Sequence, residues 1–284
     1  MATLGLAPVA EPAASLSAKA AAVADRLEDE VNAALGLLTP LRARLRTGEP
    51  TDWKAFDAAV SESRMRRPTQ QLVLWAPRVS ESARAGFEAD SGRDAFRSLR
   101  VVEPAPAGAL VPAQSRDRHH PLALAAPLQP GAELLGLDLM ASTELEPALA
   151  KSAEAGQQPI VVGPLTLLPP ASCESQRRPG CTPQIFVVVP VRDDVKPGAG
   201  RNRRREDNDR GYLLVALSWA AIVSAPPALP GARTSAAFAL PALPRPTAQV
   251  GFRVLGEPWT LELAQPPGGI LSARLGHGRA PANP

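Results

Sequence analysis

The sequence predicts an α+β fold with a long N-terminal helix, and three observations carry that expectation. Between Leu16 and Arg46, apolar residues recur at threes and fours through Leu16, Ala20, Val23, Leu27, Val31, Ala34, Leu38, Leu41 and Leu45, the period of one helix face. From Gln70 onward the apolar residues come instead in short runs closed by proline or glycine, as strands do. The helices gather at the front of the chain and an antiparallel-looking series of strands follows around one later helix, an order that suits α+β.

Taken in order, the first helix meets Pro40, which costs about 3 kcal/mol in a helix interior unless Thr39 caps a second helix with Pro40 at its first position. A kink or restart is expected there. The near-heptad seam suits either pairing with a twin helix or packing on the chain's own domain. Thr51 is placed to cap "DWKAFDAAVSESR", which turns Trp53, Phe56 and Val60 inward. "QQLVLWAPRV", Gln70 to Val79, is a strand closed by Pro77, and Ser80 caps "ESARAGFEAD". A shorter helix or turn is expected around "GRDAFRSL", then a Pro- and Ala-rich loop and a strand in "RHHPLALAAPLQP".

Leu134 to Gly156, "LLGLDLMASTELEPALAKSAEAG", reads as a strand over Leu134–Leu139, a corner, a helix capped by Ser142 or Thr143, and a stop at Gly156. Strands follow in "PIVVGPLTLL", "QIFVVVPV" and "GYLLVALSW", with a charged loop "RDDVKPGAGRNRRREDNDR" before the last. The tail offers two more strand candidates, "TSAAFALP" and "QVGFRVLGEPWTLELA".

At 284 residues the chain is long enough for one large domain or two modest ones with real cores. A net charge of +3 and 4% aromatics disfavour a nucleic-acid partner or a membrane surface. Thirty-two prolines and twenty-one glycines predict long loops. No run reaches the roughly 18 to 20 apolar residues of a membrane span, and the N-terminus lacks a signal-peptide pattern, so export requires targeting segments outside these residues. Cys173 and Cys181, the only cysteines, flank a polar loop; they suit a local disulfide in an oxidising compartment, with two free thiols in a reducing cytosol as the alternative. No metal-ligand spacing stands beside them.

The order "VLWAPRVSESARAGFEA", "HHPLALAAPLQP", "LGLDLMASTELEPALAKSAEAGQQPIVVGPLTLL", "QIFVVVPV" and "RGYLLVAL" resembles the CHASE domain, the extracytoplasmic sensory module of bacterial and plant receptor kinases and cyclases. The likeness covers Trp53 to Val223, and W-A-P-R-V and L-G-x-D-L are its most specific pieces. It implies a stalk helix over residues 1–50, a core over 51–223 with a membrane-distal ligand-binding lobe, and membrane-proximal strands and tail over 224–284. It also implies two stacked PAS-like α/β lobes with antiparallel sheets, "EPWTLELA" as the last strand before a second span, a homodimer through the stalk, and a periplasmic or extracellular address that favours the disulfide.

Carried over by position, the ligand pocket implied by the resemblance includes Leu139, Leu145, Val162, Leu168, Val187, Tyr212 and Val215. Plant cytokinin receptors have an Asp where Leu145 stands and a glycine where Val215 stands, so adenine-type cytokinins are not the expected ligand. Core packing accounts equally for the leucines and valines. Tyr212, the only tyrosine, is more telling, because a buried hydroxyl seeks a partner. Asp138 is read as an acceptor of backbone hydrogen bonds at the corner, with a ligand role as the alternative.

"RNRRRE" is followed by Asp207 and Asp209 and reads as a solvated hairpin loop. His119 and His120 are adjacent, so a strand sends them to opposite faces and a shared metal ion is not expected. No nucleophile elbow, phosphate-binding glycine loop or paired nucleophile and base is found. The expectation is a sensor that binds a small molecule without catalysis or cofactor, its kinase or cyclase output outside this chain. The alternative is a protein-interaction module of the same fold.

Overall fold

The computed structural model describes residues 13–47, 53–67, 69–90, 99–105, 107–154, 158–169, 173, 179–193, 209–224, 248–264 and 272–277. In chain order the elements are α1 (Ala13–Thr47), α2 (Trp53–Arg66), β1 (Gln70–Pro77), β2 (Val79–Ser80), α3 (Glu81–Asp90), β3 (Val102–Pro104), β4 (Leu110–Pro112), β5 (Arg118–His119) and β6 (Leu124–Ala126). There follow α4 (Leu128–Gly131), 3-10 turns at Ala132–Leu134 and Leu139–Ala141, α5 (Leu145–Glu154), β7 (Ile160–Leu165), a third 3-10 turn at Pro179–Cys181, β8 (Gln184–Arg192) and β9 (Asp209–Ser218). The last are α6 (Trp219–Ser224), β10 (Ala248–Val254), β11 (Glu257–Ala264) and β12 (Ser272–His277). The chain is α+β, with a long N-terminal helix and antiparallel sheets. It divides into two compact units, one holding residues 32–218 and the other the described residues of 1–31 and 219–284.

In the 32–218 unit a five-stranded antiparallel sheet runs in the order β6-β1-β9-β8-β7. Successive side chains on a strand alternate between its two faces. Leu72, Leu74 and Ala76, Phe186 and Val188, and Tyr212, Leu214 and Ala216 join one buried cluster with the loops around residues 134–149 and 165–168. The intervening residues Val73, Ile185, Val187, Val189, Leu213, Val215 and Leu217 are equally buried on the opposite face. There α2 lies against β1 and β6, and Leu35 and Leu38 of α1 share a cavity wall with Val189. Cover on both sides explains why β8 and β9 read as continuous apolar runs instead of alternating ones.

The expected restart at Pro40 is absent: α1 is one helix through it, and Thr39 turns its hydroxyl back to the Leu35 carbonyl (2.8 Å) instead of capping a second helix. Gly36, Thr39 and Pro40 all sit on the exposed side, so the carbonyl that Pro40 leaves without an N–H donor faces water. The seam residues Leu16, Leu27, Val31, Leu38 and Leu41 are buried within this single chain, which is the second of the two arrangements expected for them. Phe56 and Val60 are buried on α2 and Trp53 half-buried, while Thr51 lies outside the described residues. Ser80 caps α3 through a bond from the Ala83 N–H (3.3 Å).

The strand expected over Leu134–Leu139 does not form. Gly136 has φ +88° and lies so close to the Arg100 carbonyl that a Cβ would meet its oxygen at 2.1 Å, and the chain turns there. Residues 136–139 bond sideways instead, to Val102 on one side and to His120 and Leu122 on the other. "RHHPLALAAPLQP" divides into β5 and β6.

In the other unit, β10, β11 and β12 form an antiparallel three-stranded sheet. Leu255 and Gly256 both have positive φ, as a two-residue hairpin turn of the type matching strand twist requires. β12 was not expected from the sequence. "TSAAFALP", "RNRRRE" and most of "GRDAFRSL" lie outside the described residues.

Candidate functional site

The corner before α5 is built by one carboxylate. Asp138, 1% exposed, accepts at Oδ1 from the His120 and Met140 N–H groups (2.9 and 3.1 Å) and at Oδ2 from Arg116 Nη1 (3.1 Å) and His119 Nδ1 (2.7 Å). The backbone role expected of it is therefore present, and two charged or polar side chains add to it. His119 Nε2 lies 2.7 Å from Glu81 Oε2, and Arg116 Nη2 donates to Glu103 Oε2 at 2.6 Å. Flanked by two carboxylates, the His119 ring donates to both when it carries both protons. The bond to His119 is also the main cause holding the Glu81 carboxyl below its usual range.

Arg84 ties α3 into the same structure through Ala113 O (2.8 Å), Val101 O (3.1 Å) and Glu88 (3.0 Å). The sequence carried a trace of this network in Glu81, Arg84 and Glu88, spaced three and four apart on a helix. Its distant partners, Asp138, Arg116 and His119, left no such trace.

Beyond the corner, Ser142 caps α5 by accepting from the Leu145 N–H (3.1 Å), which chooses between the two capping residues expected. A cavity of about 240 Å³ lies between this cap and the segment after β7. Its floor is Leu137, Leu139, Leu145, Leu167 and Leu168, and Ser142, Thr143, Glu144 and Thr166 give it polar edges. A disulfide joins Cys173 to Cys181, and Leu168 N–H donates to Gly180 O (2.9 Å), so the far wall is tethered. A Cβ on Gly180 would stand 2.7 Å from Leu134 Cδ2 and 3.1 Å from Leu168 Cδ1, so a larger residue there would have to displace leucine side chains.

Of the seven residues named from the sequence, Leu139, Leu145 and Leu168 line this cavity. Val162 and Tyr212 pack in the core on the same side of the sheet without lining it. Tyr212 donates to Leu149 O (3.2 Å) and lies edge-on to the His120 ring at 4.8 Å, and burial pushes its ionisation up to about 12. The hydroxyl has its partner within the protein. Val187 and Val215 are brought together, but with each other: they are cross-strand partners on the opposite face, and Val73 pairs with Val215 from the other side. A strand cannot present both Val187 and its neighbours Phe186 and Val188 to one core.

His119 and His120 do face different surroundings. The His120 ring is buried, its Nδ1 lacks a hydrogen-bond partner among the described residues, and burial lowers its pKa to about 4 against the pull of Asp138. Among the described residues no three His, Cys, Asp or Glu side chains group so as to hold a metal ion, and no helix is long and apolar enough to cross a membrane. The family model described as the CHASE domain matches residues 49–238, more than half of the chain. No curated protein matches it.

Proposed function

Because this chain belongs to the CHASE domain family, whose members are extracytoplasmic sensory domains of receptor kinases and cyclases, we propose that it is the ligand-binding sensor of a membrane receptor. The observation that carries this reading is the cavity of about 240 Å³ between the Ser142-capped start of α5 and the disulfide-tethered wall at Leu167 and Leu168. It is small beside the roughly 300–1,000 Å³ of ordinary small-molecule sites, so the ligand is compact. Five leucines, with the hydroxyls of Ser142, Thr143 and Thr166 and the Glu144 carboxylate at the edge, suit a mostly apolar or weakly polar molecule.

Leu145, fully buried in that floor, offers no carboxylate to a purine edge, and an unpaired polar group there costs about 1–3 kcal/mol, so adenine-type cytokinins are a poor fit. Val215 plays no part in this exclusion, since its side chain is on the other face. The proposed site is therefore Leu139, Leu145 and Leu168, with Val162 and Tyr212 behind them. Occupancy favours one arrangement of the α5 corner, and that bias reaches the membrane as a population shift. The 1–50, 51–223 and 224–284 division, the paired PAS-like lobes and the periplasmic or extracellular address belong to the same proposal. A homodimer belongs to it too, but pairing must use residues other than the buried α1 seam.

Thermal shift against a metabolite library tests it: one compact ligand should stabilise the protein saturably, and Leu145→Trp, which fills the cavity, should remove that effect while the fold persists. Silence across the library would favour the second reading, an interaction module. That reading has its own support in the β3–β4 hairpin, where Leu110 and Val111 are exposed.

A further inference from the structure

A second cavity, of about 330 Å³, lies on the other face of the sheet under the C-terminal half of α1. Its size is that of a small-molecule site. The floor is apolar, with Leu35, Leu38, Pro159 and Val189, and the wall is cationic, with Arg42 and Arg46. These arginines stand four residues apart, so one helix face brings both guanidiniums to the same opening, where like charges at that spacing repel. Arg192, at the end of β8, adds a third positive charge: burial first, then Arg46 and Arg192, weakens the hold of Arg42 on its proton. Arg192 is itself 9% exposed and held by Ala153 O (2.6 Å), and its Nε has no hydrogen-bond partner among the described residues.

A guanidinium presents five donors in a planar fork, so one protein partner does not exhaust it, and the fork matches a carboxylate or phosphate. An anion between the two forks would relieve their repulsion and gain charge-assisted hydrogen bonds. The apolar floor selects against a bare inorganic ion, which has nothing to bury there. We propose that this cavity binds a small organic anion, its carboxylate or phosphate head held by Arg42 and Arg46 and its apolar body lying on Leu35, Leu38 and Val189. The site is independent of the one beside α5.

The test uses the whole chain, with benzoate and phenyl phosphate as probes and benzyl alcohol as the neutral control. Saturating benzoate or phenyl phosphate should raise the melting temperature by roughly 2–5 °C, and the tighter of the two identifies the head group. Benzyl alcohol should not, Arg46→Gln should weaken binding about tenfold or more, and Leu145→Trp should leave it unchanged. Should the arginine variant fail to fold, phenylglyoxal labelling of the unaltered protein keeps the question open to measurement: the anion should protect Arg42 and Arg46 from modification. Silence from both anions, equal stabilisation by benzyl alcohol, or labelling of both arginines at an undiminished rate would overturn the proposal.

Discussion

The two faces of the central sheet are equally apolar and nearly equally buried, yet they are supported in different ways. On the α5 side, one carboxylate with four donors holds the corner, a serine caps the helix and a disulfide tethers the opposite wall. On the α1 side, Val187 and Val215 pack in a surface of aliphatic side chains, and the charged groups sit at its edge as arginines. A cavity bounded by polar, directional contacts keeps its shape when empty, whereas an aliphatic layer holds its shape by filling space. Substitutions on either face test that difference.

The largest effect is expected at Asp138. Asp138→Ala would strand one buried and one part-buried N–H and leave Arg116 and His119 with one carboxylate each instead of two, for a loss of about 3–5 kcal/mol in urea unfolding. Val215→Ala, which only removes methyl groups, should cost about 1–3 kcal/mol and leave any binding at the proposed site beside α5 unchanged. If the two variants lost equal stability, the contrast between the faces would fail.

Next comes His120. Its folded pKa, lowered to about 4, lies below the ordinary 6.5, so the unfolded chain binds the proton more readily. This contribution is fully present above about pH 6.5 and lost as pH falls to about 4, on the order of 3 kcal/mol in all. His120→Phe keeps a ring on Tyr212 and should flatten the stability profile across that window; an unchanged slope would assign the titration elsewhere.

Reduction of Cys173–Cys181 should cost about 2–3 kcal/mol, the amount expected for a short closed loop. Hydrogen exchange should then rise around Leu167 and Leu168 and not along β9. Smallest, Ser142→Ala removes one capping bond and should lower stability by about 1 kcal/mol, with its exchange effect confined to the first turn of α5.

Much of the α5 side was legible because its signals are local. The apolar runs of β1, β8 and β9, the α5 helix formers, the serine cap and the paired cysteines each announce themselves within a few residues. Leu134–Leu139 misled because its alternation resembles a strand, while the close approach of Gly136 to Arg100, distant in sequence, imposes a turn. Pro40 misled for the opposite reason: a local rule predicted a restart, but the affected carbonyl lies on the solvent side of a helix fastened by its other face. β12 has little apolar character to mark it and acquires its strand form by pairing with β11.

The sequence by itself determined the periods: a long helix, apolar strands, their caps and turns, and with them the α+β class, because these follow from neighbours along the chain. Only the tertiary structure decided which face of each doubly buried strand meets the α5 corner, separating Val187 and Val215 from Leu139, Leu145 and Leu168. It alone assembled Glu81, Glu103, Arg116, His119 and Asp138 into one network. A buried valine is chemically the same on either face, and a carboxylate carries no mark of the distant donors that will meet it. Both are settled by register and packing between segments far apart in the chain.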